Sequence, residues 1–430
     1  GSPLKAATTQ TAEAINNAGG SVTNFVTTLA KGTPLAAAFG DEIGSVIGYF
    51  EQTNDTFRGL SGVSFVNNTA ADGAGLLCDG GDHGGGAVVM SDVAFTENKA
   101  HGLGGAMHLT GACGVQISGS STFNQNQALS GTSCRAGHAV GGGAFALEPN
   151  TEAAPTTLTI DGPTTVNENS APNGGGVFVI PAPVAADVNS PRGAQVRITS
   201  VTLADNVASG CDGSVQGSGG ALHVAAGNHT LSATTIDSNT ASHDGGAIFT
   251  TADAAMTIES TDISANEASR HGGAVAHTGA KLKVMMGTIS GNRAVNGGGV
   301  YVGGDTNASP QYAVLGSQLT NNDASRGGGF FLASNVALGV LRQLSLSTNH
   351  ATSGQDAYWL RSSSPATEYS CTSCVYSHAD GTTNGKIATE ALSVQSAEAL
   401  PSAVESGKVT KDFSVKLIDF YSNAVENEMS

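Results

Sequence analysis

Residues 263–302 read ISANEASRHGGAVAH (263–277), TGAKLKVMMGT (278–288) and ISGNRAVNGGGVYV (289–302). One unit occurs twice: an apolar residue, two spacers, an Asn, then a Gly pair and a small or apolar residue. Asn266 to Ala274 is a step of eight residues, and Asn292 to Val300 is eight again.

Outward from this stretch the Asn recurs at Asn68, Asn98, Asn126, Asn169, Asn206, Asn239, Asn266, Asn292, Asn322 and Asn349. Three residues before each stands Phe65, Phe95, Phe123, Val166, Leu203, Ile236, Ile263, Ile289, Leu319 or Leu346. In the cleanest stretch the period is 26 to 30 residues, which signals a solenoid. Gly pairs and the lack of a 3.6-residue period exclude helical repeats. A leucine-rich horseshoe is excluded because its Leu framework is missing. The segments between turns are short, β-branched and alternating, as in Thr257-Ile258-Glu259 and Leu282-Lys283-Val284. The fold expected is all-β: a parallel β-helix of about ten coils, one per Asn, with three strands per coil. Each coil then rises by one strand spacing, about 4.8 Å.

Each part of the unit has a physical role in that fold. The apolar residue fills the dry centre. The Asn is expected to turn the chain, since it tolerates left-handed backbone angles. Its amide is also expected to bond to the Asn of the next coil, forming a ladder. The Gly pair permits angles that a Cβ would forbid. After that pair two successive positions are apolar in most coils, as in Val88 and Val89 or Phe331 and Leu332. Strand side chains alternate, so one row must face outward, either covered by another segment or serving as a contact surface.

Residues 1–60 lack the repeat and read as an N-terminal cap, with a short helix over 11–20. Residues 61–400 read as the β-helix. Residues 401–430 read as the start of a β-sandwich-like module or as a terminal strand, because FSVKLIDFYSNAV (413–425) alternates.

Composition narrows the function. Of 430 residues 59 are Gly, only 12% are charged, and the net charge is −17. That charge makes a nucleic-acid backbone an unsuitable partner. No run of 18 apolar residues offers a membrane-spanning helix. Sequons at Asn54, Asn67, Asn228 and Asn307 are glycosylation candidates, and a chain that uses them is secreted.

Of the six Cys, Cys371 and Cys374 are expected to pair locally at the decaying end of the array. Cys78, Cys113, Cys134 and Cys211 allow three pairings, and sequence does not choose among them. Cys78, Cys134 and Cys211 each fall where the eight-residue step is expanded, so their loops are expected to leave from one corner.

FVNN (65–68), FTEN (95–98) and FNQN (123–126), with GGA at 85–87, 104–106, 142–144, 219–221, 245–247 and 272–274, resemble a known repeat. It is the polymorphic membrane protein repeat of chlamydial autotransporter passengers, FxxN paired with GGA and then Ile, Leu or Val. The repeat also occurs in large surface proteins of algae and protists. The resemblance covers residues 60–360. It implies a right-handed β-helix of the pectin-lyase type, on the cell surface and often adhesive. Most units here relax Phe to Ile, Leu or Val.

Glycoside hydrolysis needs two carboxylates at a set separation, and no Asp-Asp pair occurs. The nearest constellation is Ser242-His243-Asp244 with Arg270-His271 one coil later, where His243 and His271 are expected to stack, with His101 in a similar place. Asp79, Asp82 and His83 are weak metal candidates. No cofactor is expected; the ions this loop would suit are Ca²⁺ and Zn²⁺.

The function expected is a non-enzymatic extracellular scaffold or adhesin, a segment of a larger cell-surface protein. Its partners would be a cell-surface protein or glycan, or other segments of the same assembly. The alternatives are a polysaccharide-active lyase or glycoside hydrolase, and a structural filament subunit.

Overall fold

The computed structural model describes residues 48–51, 60–80, 87–129, 140–149, 155–181, 194–211, 217–304, 310–333, 336, 339–360, 371–378, 387–389, 393–396 and 415–418. These residues form a β-solenoid of stacked parallel coils, without a helix.

The coil of Asn266 shows how the sequence closes one turn. In Asp262–Ser264 the central Ile263 points inward, with Ile236 below and Ile289 above in register. Ala265 turns the chain at φ 52°. Asn266 is fully buried, and Glu267–Ala268 forms the short second side. The Gly272-Gly273 corner follows. Val275–His277 and Lys281–Met285 make the long third side. Stacking these sides gives sheets of 11, 10 and 21 strands. The long side takes two strands from most coils, where one was expected. In Leu222–Ser232 and Ile248–Glu259 the two fuse into one.

Apolar columns fill the centre. Phe65, Phe95 and Phe123 stack with centroids 4.4 and 5.0 Å apart, each such contact worth roughly 0.5–1.5 kcal/mol beyond burial. That stack accounts for Phe at this position in three consecutive coils. A second column went unread in the sequence: two residues after every ladder Asn stands an Ala. From Ala100 to Ala351 these are buried. Residues i and i+2 share a strand face, so this Ala points inward beside the Asn from the shortest side of the coil.

The Asn side chains bond from coil to coil along the whole array. The Oδ1 of Asn98 accepts from both the backbone N–H and the Nδ2 of Asn68, at 3.1 and 2.7 Å. Its own Nδ2 donates to Asn126 Oδ1 and back to the Phe65 carbonyl. The same pattern continues to Asn322 and Asn349. The backbone role expected of the Asn belongs to its neighbour. The preceding residues, Asn67, Glu97, Gln125, Glu168, Asp205, Ser238, Ala265, Gly291, Asn321 and Thr348, have φ between 52° and 65°. Varied side chains fit there because they point into solvent. The Asn is kept for its amide.

The Gly pair carries two separate constraints. Gly272 has φ +63°, and a Cβ on it would stand 2.3 Å from the Val275 carbonyl oxygen. A Cβ on Gly273 would stand 2.4 Å from the Gly298 oxygen of the next coil. One Gly makes the corner and the other lets neighbouring coils approach.

The first coil departs from the sequence reading. Leu76–Asp79 pairs with Met107–Gly111, with Leu76 opposite Met107. Asn68 to Leu76 is eight residues and Asn98 to Met107 is nine, so this coil is one residue shorter. Its corner is Gly73-Ala74-Gly75, with Gly73 at φ +56°, rather than GGA at 85–87. Ala87–Ser91 belongs to the other strand of the long side, opposite Gly114–Ser118. Cys78 therefore lies within a strand, buried, and not in an expanded loop.

At the N-terminus Gly48–Glu51 pairs in parallel with Leu76–Asp79. The rest of the cap reading, including the helix at 11–20, lies outside the described residues. At the other end Ile387–Thr389 extends the long side in parallel with Ala357–Trp359. Val415–Ile418 pairs antiparallel with Ser393–Ser396, not with the last coil.

Candidate functional site

The outward row of the long side is read off the strand register. It runs Leu77, His108, Ala146, Phe178, His223, Phe249, Ala276, Tyr301, Phe331, Tyr358. Val88 and Val89 do not belong to it; they face Val115 and Gln116. Rings stack along the row. His223 lies edge-on between Phe178 and Phe249. Tyr301, Phe331 and Tyr358 stack at 5.3 and 5.4 Å. Phe178, Phe331 and Tyr358 are buried, while His223, Phe249 and Tyr301 are half-buried. Ala333 and Leu360 pack against the Phe331–Tyr358 end.

The row loses its ring at Ala276, and a cavity of about 550 Å³ opens there. Asp244, Phe249, Arg270, His271, Ala276, Thr278, Tyr301 and Gly304 line it. Its polar rim comes from the Gly corner. Asp244 precedes Gly245, and His271 precedes Gly272 in the next coil; the two are bridge partners. Arg270 grips the buried Asp244 carboxylate with Nε at 3.0 Å and Nη2 at 2.6 Å. His243 Nδ1 lies 2.9 Å from the same carboxylate. His271 does not stack on His243. Its ring lies flat on Tyr301, centroids 4.2 Å apart and 6° from parallel. It occupies the level that Ala276 leaves without a ring.

Electrostatics fix the states of these groups. Burial pushes the His271 pKa down to about 4, so the ring is neutral at pH 7. The Asn296 amide lies 3.1 Å from His271 Nδ1, and as a donor it leaves the proton on Nε2. Burial raises the Tyr301 phenol above its usual range. The hydrogen bond to Asp244 raises Arg270 further.

The repeat that frames this cleft can be compared with known sequences. The Chlamydia polymorphic membrane protein (Chlamydia_PMP) repeat matches residues 233–251. That segment of the chain is similar to the family's repeat. No curated protein and no solved structure matches the chain. The matched polymorphic membrane protein repeat runs from the corner at Ala233 through Ile236, Asn239 and Gly245-Gly246-Ala247. It therefore carries the apolar column, the ladder and the Gly corner in one segment, along with Asp244 and Phe249 of the cleft.

The other sites singled out in the sequence are dispersed. Cys78 is bonded to Cys113 one coil on, and Cys371 to Cys374. Cys211 is disulfide-bonded as well; Cys134 lies outside the described residues. Asn67 and Asn228 are exposed, Asn67 in a left-handed turn and Asn228 within a strand. Asn54 and Asn307 lie outside the described residues. Asp79 ends a strand opposite Thr110, while Asp82 and His83 lie outside the described residues. Among the described residues no three His, Cys, Asp or Glu side chains converge on a metal position, and no helix is long and apolar enough to cross a membrane.

The cleft was only half legible. Asp244, Arg270 and His271 stood out in the sequence. Ala276 and Tyr301 did not, because their meaning lies in the column of residues above and below them.

Proposed function

We propose that this chain is a non-enzymatic, adhesin-like segment of a larger cell-surface protein. The repeat matched at 233–251 supports surface location, since that repeat is named for membrane proteins of Chlamydia. The exposed sequons Asn67 and Asn228 are compatible with it.

The observation that carries the reading is the chemistry of the cleft. Among the described residues Asp244 is the one carboxylate lining it, and it is held by Arg270 and His243. A glycosidase needs a second carboxylate across the scissile bond. A lyase needs a poised proton acceptor. Tyr301 is pushed away from ionisation, and the Asn296 amide occupies His271 Nδ1. These groups are arranged to hold a ligand, and a rigid solenoid presents that surface without rearrangement.

Beads coated with the chain should bind cultured cells above albumin-coated beads. The soluble chain should release no reducing ends or unsaturated products from a panel of plant, bacterial and animal polysaccharides. Product release abolished by Asp244→Asn would establish the enzyme reading instead.

A further inference from the structure

We propose that the cleft over Ala276 binds a neutral saccharide ring. The proposal deepens the adhesin reading and rests on it.

The cleft lies where the row of rings drops to Ala276, one of two Ala positions that break it, the other being Ala146 between His108 and Phe178. Phe249 stands on one side of Ala276, with Tyr301 and the His271 stacked on it at 4.2 Å on the other. The missing side chain leaves a recess of ligand size, about 550 Å³, within the range of small-molecule sites.

Its polar groups are fixed before any ligand arrives. Arg270 is clamped on Asp244 through Nε and Nη2, which leaves Nη1. His271 is fixed by Asn296 and presents Nε2–H. The Tyr301 hydroxyl lies over Gly303, and Tyr301 lines the same recess. The Thr278 hydroxyl donates to the Thr250 carbonyl at 3.1 Å, so its oxygen is left to accept. Donors and acceptors thus surround an apolar wall, and pre-positioning lowers the cost of binding.

The charges cancel. Among the described residues the lining holds one carboxylate, one guanidinium and one neutral imidazole. An anionic ligand meets Asp244, and a cationic one meets Arg270. An aromatic peptide side chain would cover the walls but leave the polar rim unpaired, at a desolvation cost. A sugar offers an apolar C–H face and a ring of hydroxyls, which matches both parts of the lining.

Saturation-transfer NMR tests this with the full chain and methyl glycosides of glucose, galactose, mannose and N-acetylglucosamine, each at millimolar concentration. Methyl glucuronide serves as the acidic comparison. At least one neutral glycoside should receive saturation, more strongly than the glucuronide. Ala276→Phe puts a ring into the recess and should abolish the signal. Tyr301→Phe keeps the stack and removes the hydroxyl, and should weaken binding about threefold to tenfold. Silence from every neutral glycoside, stronger binding of the glucuronide, or unchanged binding by Ala276→Phe would overturn the proposal. If Ala276→Phe does not fold, unchanged binding by Tyr301→Phe overturns it alone. Cell binding by coated beads with no glycoside signal would place adhesion elsewhere and leave the adhesin reading standing. A glycoside signal without cell binding would do the reverse.

Discussion

The Oδ1 of Asn292 accepts two hydrogen bonds from Asn266, one from its backbone N–H at 3.0 Å and one from its Nδ2 at 2.9 Å. The bond pair runs in one direction along the array, so its two ends differ. Asn349 still accepts both bonds from Asn322. Asn68 heads the ladder and is joined to it as a donor.

That polarity orders three substitutions. Asn292→Ala leaves the buried Asn266 N–H unpaired and removes a donor from the Ile263 carbonyl. At about 1–3 kcal/mol per orphaned buried group, the loss should be roughly 2–4 kcal/mol. Asn349→Ala orphans the Asn322 N–H and should come close to that. Asn68→Ala strips only donors and should cost about 1 kcal/mol or less. Denaturant unfolding ranks the three; equal small losses would mean that the amides are solvated in effect.

The glycines give a sharper contrast. Gly291→Ala places a Cβ in open space, 3.9 Å from the nearest atom, at a position where Ala265 already adopts φ 52° in the coil below. It should cost about 1 kcal/mol of backbone strain. Gly273→Ala drives a Cβ into the Gly298 oxygen and the Arg293 nitrogen of the next coil. Its loss should be about 3 kcal/mol, the upper end of what overpacking with a backbone shift costs. Similar melting curves for the two variants would contradict the close-approach account.

Cys78 and Cys113 join adjacent coils across a separation of 35 residues. Closing a loop of that length constrains the unfolded chain by about 4 kcal/mol in the entropic account. Cys78→Ala with Cys113→Ala should lower stability by up to that amount and expose the first coils to protease before the middle of the rod. Thiol titration of the unfolded, unreduced chain should find essentially no sulfhydryl. Cleavage spread evenly along the rod would show that the bond does not secure this end.

The residues that repeat were legible because each coil places them in the same surroundings. Phe65, Ile263 and their equivalents meet only their own kind above and below, so local spacing suffices. The first coil was misread because one missing residue shifted the count, and the GGA at 85–87 matched the motif better than Gly73-Ala74-Gly75 did. The Asn was assigned its neighbour's turn because a side-chain ladder and a backbone turn leave the same mark in sequence. The cleft needed Asp244, His271 and Tyr301 from three successive coils, and no local window contains that arrangement.

His277 supplies a pH dependence that can be isolated. It stands in an inward column, with Val302 beyond it and Thr250 and Val224 before it. Its Nδ1 lies 2.6 Å from the Thr250 hydroxyl, and the residue is fully buried. Burial pushes its pKa from the ordinary 6.5 down to about 4. Between those values the unfolded chain holds a proton that the folded chain does not. Stability therefore falls as pH falls through 6.5, and this contribution levels off below about 4. The full loss from this group is roughly 3 kcal/mol. His229, also shifted to about 4 by burial, adds to the slope in the parent and in any variant at 277. The double substitution Thr250→Val with His277→Leu replaces the polar pair by apolar residues in an apolar column and leaves no orphaned hydroxyl. Its denaturant midpoint should drop less between neutral and acid pH than the parent's, by about one proton's worth of slope. Parallel pH profiles for the two proteins would show that His277 is already protonated, or already exposed, in the folded rod.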